Sequence, residues 1–356
     1  MDIFSGLKLG DLELSNRVVM APMTRSRADS DAVPTDIMVD YYAQRASAGL
    51  IISEGIAPSA SGLGYCRTSG LFNQAQVEAW GRVTAAVHAA GGKIVAQLMH
   101  VGRVASHLNK PTGSDTVAPS AIAARGQMYT DQSGMVPFDT PRALSLDEIG
   151  AVVSDYRMAT ENAYAAGFDG VELHCTSGYL PAQFLSTGTN RRVDDYGGSV
   201  ENRCRFALET LDAMICVDGP GRVGMRICPG NPFNDLVDED PHQTFEQLLA
   251  AAAKLDLAYL HVIRMPDGGV DNIALGQRFF GDRLVVNDSY DFEEASAVVS
   301  SRAAAAVSFG RPFIANPDLV ERFREGAELA RFDPHTLYAG GSRGYSDYPR
   351  RCGEPA

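Results

Sequence analysis

A histidine, a serine and a tyrosine follow the end of one mainly apolar segment of the chain. The run Phe168–Leu173 ends at His174, and Ser177 and Tyr179 come directly after it. An imidazole and a hydroxyl donate hydrogen bonds to an oxygen atom, and a phenol delivers a proton. This spacing predicts a catalytic site that holds a substrate oxygen and protonates a neighbouring atom.

Short apolar or β-branched runs recur along the whole chain and predict the strands that position these groups. They are too short for helices, and several lack polar alternation, as is typical of strands buried on both faces. The predicted strands are Arg17–Ala21, Leu50–Ser53, Ile94–Leu98, Gly170–Leu173, Val223–Ile227, Ala258–Ile263, Leu284–Val286 and Ala304–Phe309.

Amphipathic helical patterns lie between these runs. Val77, Trp80, Val83 and Val87 fall on one helical stripe. Two further stripes are predicted, one after a capping box at Ser145 and Glu148 and one after the Gly197-Gly198 turn, and Asn316-Pro317 predicts the start of a short helix. Eight strand–helix pairs predict an α/β fold, a (β/α)8 TIM barrel; an open doubly wound sheet is the alternative.

Two segments depart from this repetition. Residues 2–15 predict a hairpin that plugs the base of the barrel, and residues 99–144 form a long Gly-, Pro- and Ser-rich insert after the third strand. Long loops inside compact domains are usually functional, so we expect the insert to cap the active site. No linker is evident, and residues 1–356 are predicted to form a single domain.

Composition excludes several classes of protein. The net charge of −13 argues against a nucleic-acid partner, and no apolar run approaches the length of a membrane span. The six cysteines show no paired spacing, the start lacks a signal-peptide pattern, and the histidines lack metal-ligand spacing. We expect a cytoplasmic enzyme without a metal site, either a monomer or a homodimer.

Two polar residues lie inside strands that are otherwise apolar. Gln97 occurs in IVAQLMH and Arg226 in VGMRICP. An amide and a guanidinium together suit a planar ring with carbonyl and nitrogen edges, such as an isoalloxazine. The alternative is that each side chain satisfies loop carbonyls, as buried polar groups often do.

The eighth strand is followed by a candidate phosphate site. In SFGRPFIANPDL, Gly310 permits close backbone approach, Arg311 brings positive charge, and a short helix follows. A phosphate at this place is common in TIM barrels. The combination predicts flavin mononucleotide (FMN) across the mouth of the barrel.

The chain resembles the Old Yellow Enzyme family of FMN-dependent ene-reductases over nearly its whole length. The matching stretches are NRVVMAPMTRSRA (16–28), YYAQRASAGLIISEG (41–55), AQLMHVGR (96–103), TPRALSLDEI (140–149), GFDGVELH and GYLPAQFL (within 167–185), NRRVDDYGGSVENRCRF (190–206), VSFGRPFIANPDLV (307–320) and GYSDYP (344–349).

The resemblance implies roles for individual residues. Thr24 is expected near the flavin C4 carbonyl, Gln97 and Arg226 at the pyrimidine edge, and Gly310 with Arg311 at the phosphate. His174 is expected to hold the substrate carbonyl and Tyr179 to donate the proton. The implied cofactor contacts are Pro22, Met23, Thr24, Gly55, Gln97, His174, Arg226, Gly310 and Arg311, and the implied substrate contacts are His174, Ser177, Tyr179, Tyr65 and Tyr338.

Three positions differ from the family pattern. The second carbonyl donor, usually His or Asn, is Ser177; Met99 stands where relatives often have an aromatic residue. Asn287-Asp288-Ser289 replaces a glycine-containing phosphate loop. We expect a shorter donor and more room beside the carbonyl, and we expect the Asp288 carboxylate to point away from the phosphate.

The expected reaction has two halves at one site. Tightly but non-covalently bound FMN accepts hydride from NADH or NADPH and then reduces an α,β-unsaturated carbonyl or nitro compound, with Tyr179 as proton donor. The sequence does not decide between the nicotinamides, although Arg264 is a candidate contact for a 2′-phosphate. The alternatives are a reductase of nitroesters or nitroaromatics and a flavin-binding redox sensor with little turnover.

Overall fold

The computed structural model describes residues 1–351. Its strands are β1 (Leu7–Leu9), β2 (Leu12–Leu14), β3 (Val18–Met20), β4 (Leu50–Ile56), β5 (Ile94–Leu98), β6 (Val117–Ala118), β7 (Gln127–Thr130), β8 (Gly134–Pro137), β9 (Arg142–Ala143), β10 (Gly170–His174), β11 (Val223–Ile227), β12 (Tyr259–Ile263), β13 (Leu284–Asn287) and β14 (Ala306–Phe309). Its helices are α1 (Asp36–Ala43), α2 (Gln74–Ala89), α3 (Leu146–Ala165), α4 (Leu180–Leu185), α5 (Val200–Asp218), α6 (Pro241–Ala252), α7 (Asn272–Phe280), α8 (Phe292–Ser300), α9 (Arg311–Ala315) and α10 (Leu319–Glu325).

Within these residues, eight parallel strands close into a barrel in the order β3-β4-β5-β10-β11-β12-β13-β14. Every residue of β4, β5, β10 and β11 is buried, because the barrel interior covers one face and the helices cover the other. The predicted (β/α)8 barrel is confirmed. The second strand runs three residues beyond its predicted end at Ser53, because a register shift between Ile52 and Gly55 lets it continue pairing with β5.

The helices begin where the sequence places capping residues. The side chain of Ser145 accepts from the backbone of Glu148, whose own side chain accepts from the Ser145 N–H, so the predicted capping box is present at α3. The predicted stripe of α2 is buried: Val77, Trp80, Val83 and Val87 pack in the layer between helices and barrel. Helix packing outside the strands therefore fixes the strand positions.

The helix expected from Asn316-Pro317 begins later than predicted. Asn316 is non-helical (φ −129°, ψ 80°), since a following proline disfavours the helical conformation, and α10 begins at Leu319. The Asn316 amide donates to the carbonyls of Pro312 and Ala330 at 2.8 and 3.1 Å. Asn316-Pro317 therefore joins two short helices.

The hairpin β1–β2 closes the amino-terminal end of the barrel. Its leucines pack against the lowest layer of inward-facing strand residues. Gly10 at the turn has φ +56°, and a Cβ there would lie within 2.4 Å of the Gly221 carbonyl oxygen, so only glycine fits. The opposite, carboxyl-terminal end of the barrel is left for the functional site. The contacting residues are Leu9, Leu12 and Leu14 of the hairpin with Val19, Leu50, Ile52, Val95, Tyr259, Val285 and Ala306.

The insert 99–144 carries two small sheets of its own, β6–β9 and the hairpin β7–β8. Arg192, from the loop before α5, donates to the carbonyls of Pro119 and Leu144 at 2.9 and 2.6 Å. Buried arginine–carbonyl contacts of this kind satisfy loop backbone that has no ladder partner. The insert is thereby fixed beside the carboxyl ends of the strands.

Within residues 1–351 no helix is long and apolar enough to cross a membrane. The same part of the chain contains no group of three or more His, Cys, Asp or Glu side chains arranged to hold a metal ion. Cys66, Cys175, Cys204, Cys216 and Cys228 are free thiols.

Candidate active site

A cavity of about 1180 Å³ opens at the carboxyl ends of the barrel strands. This is the end at which βα loops converge in this fold, and the volume is ample for a ligand larger than a typical small molecule. The predicted site residues that line it are Pro22, Met23, Thr24, Gly55, Tyr65, Gln97, His174, Ser177, Tyr179, Arg226, Arg311 and Tyr338.

A buried polar chain lies beneath this cavity. The Gln97 amide donates to Glu172 Oε1 at 2.7 Å, and the other Glu172 oxygen lies 3.0 Å from His261 Nδ1. His261 Nε2 lies 2.7 Å from Ser308 Oγ. Burial raises the pKa of Glu172, but the bonds from His261 and Gln97 and the charge of Arg226 bring it below its usual value. An ionised Glu172 therefore fixes the orientation of the Gln97 amide.

Arg226 extends from β11 into the cavity floor. Its Nη2 donates to Asn287 Oδ1 at 2.6 Å, and the Asn287 amide donates to the Ser308 carbonyl at 2.9 Å. Its Nε and Nη1 are buried and have no hydrogen-bond partner among residues 1–351. Since buried donors are almost always paired in a complete structure, these two atoms indicate a ligand with acceptor atoms.

His174, at the end of β10, is buried beside the same cavity. Burial, reinforced by the positive charge of Arg226, lowers the pKa of its imidazole to about 3. The ring is therefore neutral at ordinary pH and offers one donor nitrogen and one acceptor. Its Nδ1 finds no partner within the described part of the chain. His174 is thus a neutral hydrogen-bond donor available to a ligand.

Tyr179 lies next to His174, with the ring centroids 5.0 Å apart and the rings nearly perpendicular. Its hydroxyl donates to the Tyr65 hydroxyl at 3.1 Å. Burial raises the pKa of Tyr179 well above its usual value. The phenol is therefore fully protonated near neutral pH.

Ser177 lies in the turn between these two residues and is half-buried. It adopts a left-handed backbone conformation with φ +58°, which Asn and Gly adopt more readily than serine. Its carbonyl accepts a hydrogen bond from the Asn234 amide at 2.8 Å. The turn places the short serine hydroxyl on the cavity wall.

Arg311, which lines the cavity, and the loop after β13 are the candidates for an anion site. Arg311, the first residue of α9 after Gly310, is exposed, and its side chain makes no hydrogen bond or ion pair with any residue in the range 1–351. Asp288 and Ser289 have φ values of +82° and +56°, so both stand in a conformation that favours glycine. Asp288 is solvent-exposed.

Arg264 supports this loop from the neighbouring strand end. Its Nη2 donates to the Ser289 carbonyl at 2.5 Å, and its guanidinium lies 3.9 Å from the centre of the Tyr290 ring. It also pairs with Glu294 at 3.4 Å. The residue considered from sequence as a contact for a nicotinamide 2′-phosphate is thus engaged with the loop after β13.

The rim of the cavity is built from the insert and the carboxyl-terminal segment. Gln127, Met128, Tyr129 and Phe138 of the insert line it, opposite Pro334–Gly340. Tyr338 lies at the mouth and is 62% exposed, so it forms rim rather than wall.

Some residues at the site were not anticipated. Glu172 and His261 are buried polar residues inside apolar strands, as Gln97 and Arg226 are. The pattern that pointed to Gln97 and Arg226 therefore also points to them. Asn234 lies in a loop of irregular structure, and nothing in its local sequence indicates that it reaches the Ser177 turn.

Residues 2–330 match the model of the NADH:flavin oxidoreductase / NADH oxidase family. The chain belongs to this family. The oxidoreductase is 43% identical over 351 residues to a protein named probable flavin mononucleotide-dependent alkene reductase from Leishmania infantum, with 96% of each chain covered.

Solved structures of the same family superpose closely on this oxidoreductase. Morphinone reductase in complex with tetrahydroNAD is 46% identical, covers 100% of both chains and has a TM-score of 0.94. The Old Yellow Enzyme homologue from Zymomonas mobilis is 43% identical over 98% of this chain and 99% of that one, also with a TM-score of 0.94. The protein is accordingly an FMN enzyme that uses NADH or NADPH.

The residues present fit this cofactor. Arg226 offers two buried donor atoms without partners in residues 1–351, and the guanidinium of Arg311, which lines the same cavity, is available to a phosphate. A guanidinium fork suits the acceptor-rich edge of a flavin, and a second arginine suits a phosphate.

Proposed function

We propose that the enzyme is an ene-reductase, which reduces the activated C=C bond of α,β-unsaturated carbonyl or nitro compounds with NAD(P)H. The observation that carries this proposal is the pairing of a neutral His174 with a protonated Tyr179 on one wall of the cavity that Arg226 faces from below. The printed function of the Leishmania relative, an alkene reductase, supports it.

Gln97 and Arg226 would hold the pyrimidine edge of FMN, with Thr24 near its C4 carbonyl. Gly310 and Arg311 would hold the phosphate, and Pro22, Met23, Gly55 and His174 would complete the cofactor contacts. When bound, FMN supplies the redox centre that takes hydride from NAD(P)H and returns it to the β-carbon of the substrate. A fixed positive charge at Arg226 favours the reduced, more negative cofactor.

His174 and Ser177 would hold the substrate carbonyl or nitro oxygen. Both are donors, so they stabilise the negative charge that grows on this oxygen during reduction, and removing one such donor typically costs about 2.7–4 kcal/mol of transition-state stabilisation. Because the His174 ring is neutral, it binds this oxygen through its single N–H as a hydrogen-bond donor and is not the source of the proton. Ser177 is shorter than an amide or imidazole and leaves more room beside the carbonyl.

Tyr179 would donate the proton to the α-carbon. A protonated phenol is a suitable general acid for a basic enolate, and its burial keeps it protonated at neutral pH. Tyr65 and Tyr338 would contact the substrate from the outer side. The insert 99–144 would cap the cavity and keep water from the reacting atoms, in a single FMN-binding domain.

An anaerobic colour test distinguishes this proposal from its alternatives. The purified enzyme is expected to be yellow, to bleach with NADH or NADPH, and to regain its colour when 2-cyclohexenone is added. Recovery with a nitroaromatic or nitroester but not with the enone would favour a nitro reductase. Failure to bleach with either nicotinamide would favour a flavin-binding sensor.

We also propose that the enzyme works in the cytoplasm as a monomer or homodimer. The free thiols of the described cysteines support a reducing compartment. Cell fractionation and light scattering of the purified holoenzyme test the two statements separately.

A further inference from the structure

Asn234 reaches the candidate site from the loop between β11 and α6. Its Nδ2 donates to the Ser177 carbonyl at 2.8 Å. The two segments also pack tightly, because a Cβ built on Gly178 would lie 2.7 Å from Asn234 Cβ and 2.8 Å from the Phe233 carbonyl oxygen. The loop therefore locks the turn that carries Ser177 and leads into Tyr179.

The Asn234 side chain lines the same cavity as the two phenols of the site, Tyr65 and Tyr179. Burial raises the pKa of Tyr65 and of Tyr179, and hydrogen bonding to the Asn234 side chain acts in the opposite direction on each. An amide has two N–H groups and one acceptor oxygen, so the bond to Ser177 leaves it able to contact a phenol oxygen. Asn234 thus bonds to the carbonyl-binding turn and lines the same cavity as the Tyr179–Tyr65 pair.

The insert holds Asn234 in this position. Asn234 and Asp235 both have left-handed backbone conformations, with φ values of +57° and +61°. Arg103 Nη2 donates to the Asp235 carbonyl at 2.6 Å and to the Asn234 carbonyl at 3.3 Å. Arg125 donates to the two Asp235 carboxylate oxygens, from Nε at 2.7 Å and from its backbone N–H at 3.1 Å. Two arginines of the insert therefore fix an uncommon loop conformation.

On the basis of the proposed ene-reductase function, we propose that Asn234 is a positioning residue for proton delivery, which orients the Tyr179 hydroxyl through the Ser177 turn. Hydride addition to the β-carbon moves an electron pair onto the substrate oxygen and gives an enolate. The enolate then forms its α C–H bond as the Tyr179 O–H bond breaks. The Tyr179 phenolate left behind accepts a hydrogen bond from the neighbouring Tyr65 hydroxyl until water reprotonates it.

The test separates the two half-reactions of the holoenzyme by anaerobic stopped flow. Asn234→Gly removes the side chain without backbone strain, because glycine accepts the observed φ. We expect flavin reoxidation by saturating 2-cyclohexenone to slow about tenfold, the loss expected for one hydrogen bond, with a larger solvent deuterium isotope effect. The limiting rate of reduction by NAD(P)H needs no proton from Tyr179 and is expected to stay within about twofold of wild type.

Two further variants control for a general loosening of the loop. Asn234→Asp keeps the shape but loses the N–H donors, and is expected to slow reoxidation as Asn234→Gly does. Asn231→Ala breaks only a local bond, from the Phe233 N–H to Asn231 Oδ1 at 3.0 Å, and is expected to reoxidise at nearly the wild-type rate.

The role of Asn234 would be overturned if Asn234→Gly were reoxidised at the wild-type rate. It would also be overturned if Asn231→Ala slowed reoxidation as much as Asn234→Gly does. Wild-type enzyme that is not reduced by NAD(P)H, or not reoxidised by the enone, would instead overturn the ene-reductase function itself. The two failures are therefore distinguishable in one set of measurements.

Discussion

Arg226 Nη2 donates to Asn287 Oδ1 at 2.6 Å, and this contact orients a guanidinium whose Nε and Nη1 have no partner in residues 1–351. The asparagine holds one side of the fork and leaves the other side for a ligand. Because Arg226 is buried, the interaction of its charge with a reduced flavin is weakly screened.

Replacing Arg226 by lysine should therefore weaken FMN binding and lower the flavin midpoint potential. Lysine keeps the charge but loses the fixed fork of donors. A charge-assisted hydrogen bond contributes about 1.5–3 kcal/mol, so we expect FMN dissociation constants roughly 10- to 150-fold higher. Flavin fluorescence titration and spectroelectrochemistry measure the two quantities. Arg222→Lys, at the base of the barrel, is the matched control, and an equal effect there would contradict the assignment.

Substitutions at Asp288 and Ser289 should separate the effect of backbone strain on stability from the effect of the Asp288 charge on FMN binding. Ser289→Gly relieves a left-handed conformation and is expected to stabilise the FMN-free protein by about 1 kcal/mol. Asp288→Asn keeps the backbone but removes a carboxylate, and is expected to tighten FMN binding a few-fold. Arg302→Gly, also at positive φ but at the end of α8, should raise the melting temperature without changing FMN affinity. Weaker FMN binding in Asp288→Asn would show that the carboxylate supports the phosphate site.

Tyr179→Phe should impair only the oxidative half-reaction. Loss of a positioned general acid typically costs about 10²- to 10⁴-fold, whereas reduction of the flavin by NAD(P)H needs no proton from this residue. Because the pKa of Tyr179 is raised by burial, the wild-type reoxidation rate should show no loss from this group up to about pH 10. Tyr164→Phe removes a buried hydroxyl outside the cavity and controls for folding. Rapid reoxidation of Tyr179→Phe by 2-cyclohexenone would assign the proton donor elsewhere.

Glu54 should make the stability of the protein depend on pH. Burial raises the pKa of its carboxyl from 4.5 to about 7, against the hydrogen bond from Ser69. The folded state then binds the proton more tightly than the unfolded state, so this stabilisation is complete below pH 4.5 and is lost as pH rises to about 7. The difference between the two pKa values of Glu54 corresponds to about 3 kcal/mol of unfolding free energy.

Glu54→Gln removes that titration. Its stability relative to wild type should rise between pH 4.5 and pH 7 and be greatest at pH 8, as measured by chemical unfolding at each pH. Glu13→Gln, on the exposed face of β2, should leave the pH profile unchanged. A constant difference between Glu54→Gln and wild type from pH 4.5 to pH 8 would show that Glu54 does not titrate in this range.

Substitutions at Ser177 test how long the side chain that donates a hydrogen bond to the substrate carbonyl must be. Asparagine tolerates the observed φ of +58°, so Ser177→Asn should fold well and extend an N–H toward the substrate. We expect kcat/KM for 2-cyclohexenone to rise by up to about tenfold in Ser177→Asn or Ser177→His, and to fall in Ser177→Ala. Rates unchanged in both Ser177→Ala and Ser177→His would remove Ser177 from the catalytic set.

Much of the fold was predictable, because the local sequence patterns of strands and helix starts agree with the requirements of a closed barrel. A buried parallel strand must be short and apolar, and each barrel strand followed that pattern, while the capping box at Ser145 marked the start of α3. The end of β4 was not predictable, because it depends on a bulge that only pairing with β5 reveals.

The predicted site residues other than Gly310 line one cavity, since strand ends converge in a closed barrel. Glu172 and His261 were not predicted, although each is a polar residue inside an otherwise apolar strand, as Gln97 is. Asn234 was beyond sequence reasoning, because its position depends on Arg103 and on other contacts between distant loops. Tyr338, expected to contact the substrate, lines the cavity at its exposed mouth.

One labelling measurement tests the ene-reductase assignment most directly. A single turnover of the reduced enzyme with 2-cyclohexenone, after reduction by nicotinamide cofactor carrying deuterium in its transferred position, is analysed by mass spectrometry and NMR. With oxygen excluded, we expect one deuterium at the β-carbon of cyclohexanone, and no flavin reoxidation in the absence of enone. Cyclohexanone without deuterium at the β-carbon, or no cyclohexanone from a fully reduced enzyme, would contradict it.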